Sequence, residues 1–133
     1  MRKPKVLAGI VLLVAVLATA CAPATTVQPE QIVVNMPFPE AFAVVSRTIS
    51  TQPYPSNKGG WVVVNSDQVG GIILAEMNYS VYNFWTGIST NYVERVSVAF
   101  TAIGDSQTAI NVSRSGGEEA QKLAEAIVRD LTN

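Results

Sequence analysis

The chain has 133 residues, which is enough for one domain. It contains no His and one Cys, so a Ser-His or Cys-His catalytic pair, a His-ligated metal site and an internal disulfide are all excluded. Nine Lys and Arg residues against ten Asp and Glu residues give a net charge of −1, which argues against a nucleic-acid binder.

The first twenty residues have the three parts of a secretory signal peptide. Basic residues lie among residues 2–5, an apolar run covers residues 6–17, and small residues at 18–20 precede the only cysteine, Cys21. The apolar run is shorter than the roughly 20 residues that a membrane-spanning helix needs. We therefore expect residues 1–20 to be a cleaved signal peptide, with an uncleaved anchor helix as the alternative.

The segment Leu17-Ala18-Thr19-Ala20-Cys21 resembles the lipobox of bacterial lipoproteins. The resemblance implies that Cys21 is lipidated on its sulfur, that the peptide is cleaved before it and that the new amine is acylated. The chain would then contact the membrane through N-terminal acyl chains. Because Ala22 rather than Asp follows the cysteine, a Gram-negative lipoprotein of this kind belongs to the outer membrane, facing the periplasm. In a single-membrane bacterium it belongs to the outer leaflet of the plasma membrane.

The alternative is ordinary secretion with an unmodified Cys21, although a lone free thiol is unfavourable in an oxidising compartment. Residues 21–30 contain two prolines and no hydrophobic period, which predicts a lipid-anchored tether. Its nine residues after Cys21 span on the order of 15–30 Å. We expect one folded domain at residues 31–133.

The first half of this domain is predicted to form a strand, a helix and two further strands. Residues 31–35 are β-like, and a helix opens at Pro37 and ends before Pro53, because the residue before a proline avoids the helical conformation. Residues 61–65 form a strand, and residues 72–79 form another with alternating apolar side chains. The apolar stripe of the helix is Phe38, Phe42, Val45 and Ile49.

The second half reads as two strands and a helix. Residues 94–103 alternate clearly, with Val96, Val98 and Phe100 on one face, and residues 108–114 return after a turn. A helix starts within residues 115–119, where acidic side chains favour a helix N-terminus. The fold class is therefore α+β in two layers, an antiparallel four- to five-stranded sheet with two helices on one face, in the order β-α-β-β-β-β-α.

This element order, from Gln31 to Leu131, is similar to the helix-grip modules of some envelope lipoproteins, among them the accessory lipoprotein of the outer-membrane β-barrel assembly machinery. The resemblance implies a membrane-anchored envelope protein with an interaction or assembly role.

The segment from residue 79 to residue 92 contains five aromatic residues and no charge. It is either a long hairpin tip or a loop folded back on the sheet. Its side chains could complete the core, bind a protein partner or dip into the membrane interface. The aromatic residues considered for partner binding are Tyr79, Tyr82, Phe84, Trp85 and Tyr92.

Carboxylates could perform acid–base chemistry without His, but no close pair can be derived from the sequence. Asp67 and Asp105 fall in predicted turns, whereas Glu76 and Glu94 fall on or beside polar strand faces. Lys58 is interpreted as a solvated turn residue, and the Gly-Gly pairs match no phosphate-binding motif. We therefore expect no catalytic residue, no metal, no cofactor and no enzymatic activity.

The leading hypothesis is a non-enzymatic envelope lipoprotein whose domain binds another envelope protein through a sheet face, a sheet edge or the aromatic segment. The alternative is a carrier of a small apolar ligand in a groove between helices and sheet. Exposed rings at Phe84 and Trp85 would favour the first hypothesis, and rings lining a cavity the second. A purely structural spacing role also stays open.

Overall fold

The helices and strands occur in the predicted order β-α-β-β-β-β-α, and the α+β fold class is confirmed. The computed structural model describes residues 30–133. The elements are β1 (Glu30–Val34), α1 (Phe38–Thr51), β2 (Trp61–Asp67), β3 (Ile72–Asn83), β4 (Ile88–Ile103), β5 (Gln107–Ser115) and α2 (Glu118–Thr132). Glu30, which the prediction left in the tether, is the first residue of β1.

The five strands form one antiparallel sheet in the order β1-β5-β4-β3-β2. Consecutive strands from β2 to β5 are neighbours joined by short turns, whereas β1 pairs with β5 at the far edge. This topology places the long β3–β4 hairpin near the middle of the sheet, with β2 as the second edge.

Both helices cover the same face of the sheet, and the core fills the space between them. Alternating residues of β4 point into this core, as the sequence pattern predicts, because side chains alternate across a strand. The buried core side chains include Phe42, Val45, Ile49, Ile73, Ala75, Val96, Val98, Phe100, Ile110, Leu123 and Ile127. Stacking of apolar helix stripes on one sheet face produces the two layers.

The two helices are also joined by a polar contact. The hydroxyl of Thr48 in α1 donates to Asp130 Oδ2 in α2 at 2.8 Å and also contacts the Val44 carbonyl at 3.0 Å. The hydrogen bond from Thr48 lowers the pKa of Asp130, and Arg129 acts in the same direction. This contact fixes α2 against α1 near the C-terminal ends of both helices.

The opposite face of the sheet is not covered by any element of residues 30–133. On this face Arg95 of β4 pairs with Glu76 of β3, with Nε and Oε1 2.6 Å apart. Within the same described range, no helix has the length and apolar character needed to cross a membrane.

Candidate functional site

β3 and β4 are longer than the other strands and continue beyond the sheet as a two-stranded ribbon. β2 pairs with β3 only as far as Met77, and β5 pairs with β4 only as far as Arg95. Beyond these rows the two strands pair only with each other in the described part of the chain. We call residues 78–93 the ribbon, with residues 84–87 as its tip and the paired remainder as its stem.

The ribbon carries no charged side chain, although acidic residues flank it at Glu76 and Glu94. Proteins commonly protect exposed sheet edges with charged residues, prolines or bulges, because unpaired backbone groups there can pair with other chains. The two outer edges of the stem have no such charges. The backbone groups along the edges of the stem are therefore open to pairing with another chain.

Phe84 and Trp85 lie at the tip and face solvent, with exposed fractions of 81% and 92%. Their rings are nearly perpendicular, with centroids 6.1 Å apart. Asn83 builds the turn, since its side-chain oxygen accepts the backbone N–H of Trp85 at 2.9 Å and of Thr86 at 3.3 Å. Gly87 supplies the left-handed backbone conformation that closes the turn. The interpretation that the aromatic segment completes the core is therefore wrong for Phe84 and Trp85.

The remaining aromatic residues lie on the stem. Tyr79 and Tyr92 are cross-strand partners, and their stacked rings have centroids 5.4 Å apart. By strand alternation they lie on the face that continues the helix-covered side of the sheet, whereas Tyr82 lies on the other face and is exposed. Tyr79 and Tyr92 thus form one aromatic pair on the stem, and Phe84 and Trp85 form a separate pair at the tip.

At its base the ribbon is connected to α2 through the buried carboxylate of Glu94, which is 2% exposed. One oxygen accepts the backbone N–H of Ala120 at 2.7 Å, and the other accepts the hydroxyl of Tyr79 at 2.8 Å. The ammonium of Lys58 lies 3.9 Å from Glu94 and 3.4 Å from Glu119. This network fixes the direction of the ribbon relative to the helix.

Glycines before α2 make the contact with Glu94 possible. The N-cap residue is Gly117, which offers no side chain to the free N–H groups of the first turn, so the carboxylate of Glu94 takes that role. At Gly116, which has φ +113°, a Cβ atom would lie 2.8 Å from Cγ of Glu94. Larger residues at Gly116 would displace the carboxylate from the helix start.

The same network controls the ionisation of Tyr79. Its hydrogen bond to Glu94 raises the pKa of Tyr79 to about 12, and burial and the negative charge of Glu94 act in the same direction. The ammonium of Lys58 also lies 4.5 Å from the centre of the Tyr79 ring. Tyr79 is therefore a protonated donor near neutral pH, and its role here is to hold the stem.

Sequence reasoning missed this network. Glu94 was expected on or beside a polar strand face, but it points to the helices with Val96 and Val98. The signal was present, because Glu94 has the same alternation as those two valines. Lys58 was expected to be a solvated turn residue, but its side chain is only 17% exposed. No local pattern could reveal its partners, since they come from distant parts of the chain.

The other candidate carboxylates have local structural partners. Glu76 pairs with Arg95, and Asp67 accepts the backbone N–H groups of its own turn. Asp105 lies exposed in the turn before β5. Across residues 30–133, no three Cys, His, Asp or Glu residues lie close enough together to hold a metal ion. Cys21, the predicted lipidation site, lies outside the described residues, as do the predicted signal peptide and most of the predicted tether.

Comparisons with known proteins find fold relatives only. No known protein family matches the sequence, and no curated protein matches it. The chain is similar in fold to the di-domain ARO/CYC StfQ from the steffimycin biosynthetic pathway, with 11% identity and a TM-score of 0.40 over 78% of this chain. It spans 42% of the StfQ chain.

Two further solved structures match at a similar level. The protein TTHA0849 from Thermus thermophilus has 9% identity and a TM-score of 0.36, with 78% of this chain and 92% of that chain covered. The ZhuI aromatase/cyclase from Streptomyces sp. R1128 has 10% identity and a TM-score of 0.30, with 77% and 84% covered.

The matches also correct one expectation. We expected the domain not to be an enzyme, but two of these three structures are of proteins named as ARO/CYC or aromatase/cyclase. The expectation of no enzymatic activity is therefore withdrawn. At these TM-scores the likeness assigns no activity to this chain.

Proposed function

We propose that the chain is a lipid-anchored envelope protein that docks a second envelope protein through the stem of its ribbon. The lipid anchor rests on the lipobox-like residues that end at Cys21. The docking role rests on one structural observation, the uncharged ribbon that leaves the sheet and exposes its backbone edges and aromatic rings.

The exposure of the ribbon supports the proposal that another molecule covers it in the cell. An isolated two-stranded hairpin is marginally stable in water, and a contiguous exposed apolar surface commonly marks an interaction site. Here Glu94 holds the base of the hairpin against α2, which reduces the freedom that the ribbon loses when a partner binds. Tyr, which the stem carries at positions 79, 82 and 92, is also enriched among the residues that dominate protein interfaces.

The stem fits a partner that adds a strand. Its outer edges carry backbone N–H and C=O groups that no other strand of residues 30–133 uses. An extended partner segment would gain main-chain hydrogen bonds along one of these edges, and the rings of Tyr79, Tyr82 and Tyr92 would contact its side chains. A shallow groove along the stem, lined by both Tyr79 and Tyr92, offers a place for such side chains.

The alternative of an apolar-ligand carrier has less support. It requires the aromatic rings to line a cavity, whereas Phe84 and Trp85 face solvent. The space between helices and sheet holds buried core side chains, including Val45, Ile49 and Leu123. Exposed rings favour docking of a protein over transport of a small molecule.

Site-specific photo-crosslinking in intact cells tests the docking role. A benzophenone amino acid replaces Tyr82 on the stem, and a matched control carries it at Val69, which is fully exposed in the turn at the other end of the sheet. We expect a discrete protein adduct from position 82 and none of that mass from position 69. Identical adducts from both positions, or none from position 82, would contradict docking through the stem.

The anchor is tested separately by labelling with a radioactive fatty acid. We expect the wild-type chain to incorporate the label and the Cys21→Ala variant to lose it completely. Equal labelling of the two proteins would contradict lipidation at Cys21.

A further inference from the structure

β1 begins on a row of the sheet that lies four residues before Met77, where β3 loses its pairing with β2 and the ribbon begins. Glu30 is opposite Val112 in β5, which is opposite Val98 in β4, which is opposite Ile73 in β3. Because β1 is antiparallel to β5, and β5 is parallel to β3, the direction from Val34 back to Glu30 is the direction in which β3 runs toward the tip. The first residue of β1 thus points toward the end of the described domain at which the tip lies.

The reach of the tether also matches the distance along β3 from the row of Glu30 to the tip. From the row of Ile73 to Asn83 the hairpin advances about 30 Å, at roughly 3.3 Å per residue. The nine residues from Cys21 to Glu30 span at most about 30 Å when fully extended. A domain held by Cys21 with its ribbon toward the membrane therefore brings the tip to the bilayer surface.

The side chains of the tip suit the bilayer interface. Phe84 and Trp85 are almost fully exposed large apolar side chains, and the exposed Tyr82 and Ile88 flank them. Trp and Tyr are enriched at membrane–water interfaces, where an apolar ring and a polar edge are both accommodated. The absence of charge from Met77 to Val93 removes the groups that are most costly to take out of water.

Most backbone N–H groups of the tip are hydrogen-bonded within the turn, which lowers the cost of moving the tip out of water. Three of its four N–H groups have acceptors within the turn, because Asn83 accepts those of Trp85 and Thr86 through its side chain and that of Gly87 through its carbonyl. The N–H of Ile88 lies 3.4 Å from the Thr86 hydroxyl. Unsatisfied backbone groups are the main cost of placing irregular structure in lipid, and this turn avoids much of that cost.

We propose that the tip is a second membrane contact, in which Phe84 and Trp85 insert into the interface of the bilayer that holds Cys21. The inference rests on the proposed lipid anchor. The occupant of the tip is a phospholipid bilayer, and the stem stays in water for the partner protein. With two attachment points the domain no longer turns freely about its tether, so the stem is presented to partners in one orientation.

Tryptophan fluorescence tests this contact, because the chain has only two Trp residues. The Trp61→Phe variant leaves Trp85 as the sole reporter, and Trp61 Nε1 has no hydrogen-bond partner among residues 30–133 that the change would remove. The lipidated full-length product is reconstituted in phosphatidylethanolamine–phosphatidylglycerol vesicles, with and without lipids brominated near the interface. The matched control is Trp85→Phe, which keeps Trp61 as the sole reporter.

We expect brominated lipid to quench Trp85, whereas aqueous iodide reaches it poorly, at an insertion depth of about 5–10 Å. Trp61, at the start of β2, should show no quenching by brominated lipid. Mass spectrometry of the same sample establishes whether Cys21 is lipidated. If it is, quenching of Trp85 by iodide and not by brominated lipid would overturn the inference. In that case the proposed anchor stands and only the membrane contact of the tip fails.

Two other outcomes are distinguishable. Mass spectrometry that finds Cys21 without acyl groups would overturn the anchor, and with it the inference that rests on it. A benzophenone at position 85 that forms a protein adduct in cells, and no lipid adduct, would assign the tip to the partner protein and overturn the bilayer contact.

Discussion

Replacing Glu94 should destabilise the whole domain, because its carboxylate serves three partners. In Glu94→Ala, the buried N–H of Ala120 is left without an acceptor, which costs about 1–3 kcal/mol. Loss of the bond from Tyr79 adds about 1 kcal/mol, and Lys58 keeps Glu119 as its remaining partner. The free energy of unfolding should therefore fall by about 3 kcal/mol.

Thermal unfolding of the purified lipidated protein in detergent, followed by circular dichroism, measures this change. For a domain of this size a loss of about 3 kcal/mol corresponds to a fall in Tm of roughly 12–24 °C. Glu94→Gln should lose less, about 1–2 kcal/mol, because its amide oxygen still accepts one of the two hydrogen bonds.

The matched control is Glu76→Ala, which removes a carboxylate from the neighbouring strand. Glu76 pairs with a half-exposed Arg95 on the open face of the sheet, so its loss should cost about 0–1 kcal/mol. Equal destabilisation by Glu94→Ala and Glu76→Ala would refute the view that Glu94 caps α2 and holds the ribbon.

The same contacts lead to three further predictions. Trp85→Ala should change the unfolding free energy by less than about 0.5 kcal/mol in urea titrations, because the ring is exposed. Leu123→Ala should lower it by about 2–5 kcal/mol in the same assay, because Leu123 is fully buried in the core. Thr48→Val should raise the pKa of Asp130 in an NMR titration. Because the folded-state pKa of Asp130 is lowered, its carboxylate stabilises the fold above its unfolded pKa, and this stabilisation is lost as pH falls through the folded pKa. Thr48→Val should therefore reduce the stability that the domain loses at acid pH.

The sequence predicted the layers of this fold because its hydrophobic patterns are local. Val96, Val98 and Phe100 alternate along one strand, and the stripe of α1 repeats at helical spacing, so each buried face could be assigned before the elements were assembled. The end of α1 at Thr51 follows from Pro53, which disfavours helix in the residue before it.

The length of the ribbon was harder to predict. Strands were expected to end at residue 79 and to begin again at residue 94, but the pairing continues to Asn83 and resumes at Ile88. The intervening residues lack regular apolar alternation because neither of their faces is covered by a helix, so their strand character depends on cross-strand pairs such as Tyr79 with Tyr92.

The base of the ribbon required the tertiary structure. Glu94, Lys58 and Glu119 are far apart in sequence, and only the meeting of β4, α2 and the loop before β2 makes them partners. A buried carboxylate with a helix N–H and a tyrosine hydroxyl as donors is a property of that packing and not of any local motif.

The most direct test of a covered ribbon is thiol accessibility in intact membranes. Because Cys21 is the only cysteine and is expected to be lipidated, a cysteine introduced at Tyr82, Trp85 or Val69 is the only reactive thiol in each variant. We expect maleimide to label Val69→Cys in membranes, and to label Tyr82→Cys and Trp85→Cys only after extraction and denaturation. Equally rapid labelling of all three variants in intact membranes would contradict docking of the ribbon.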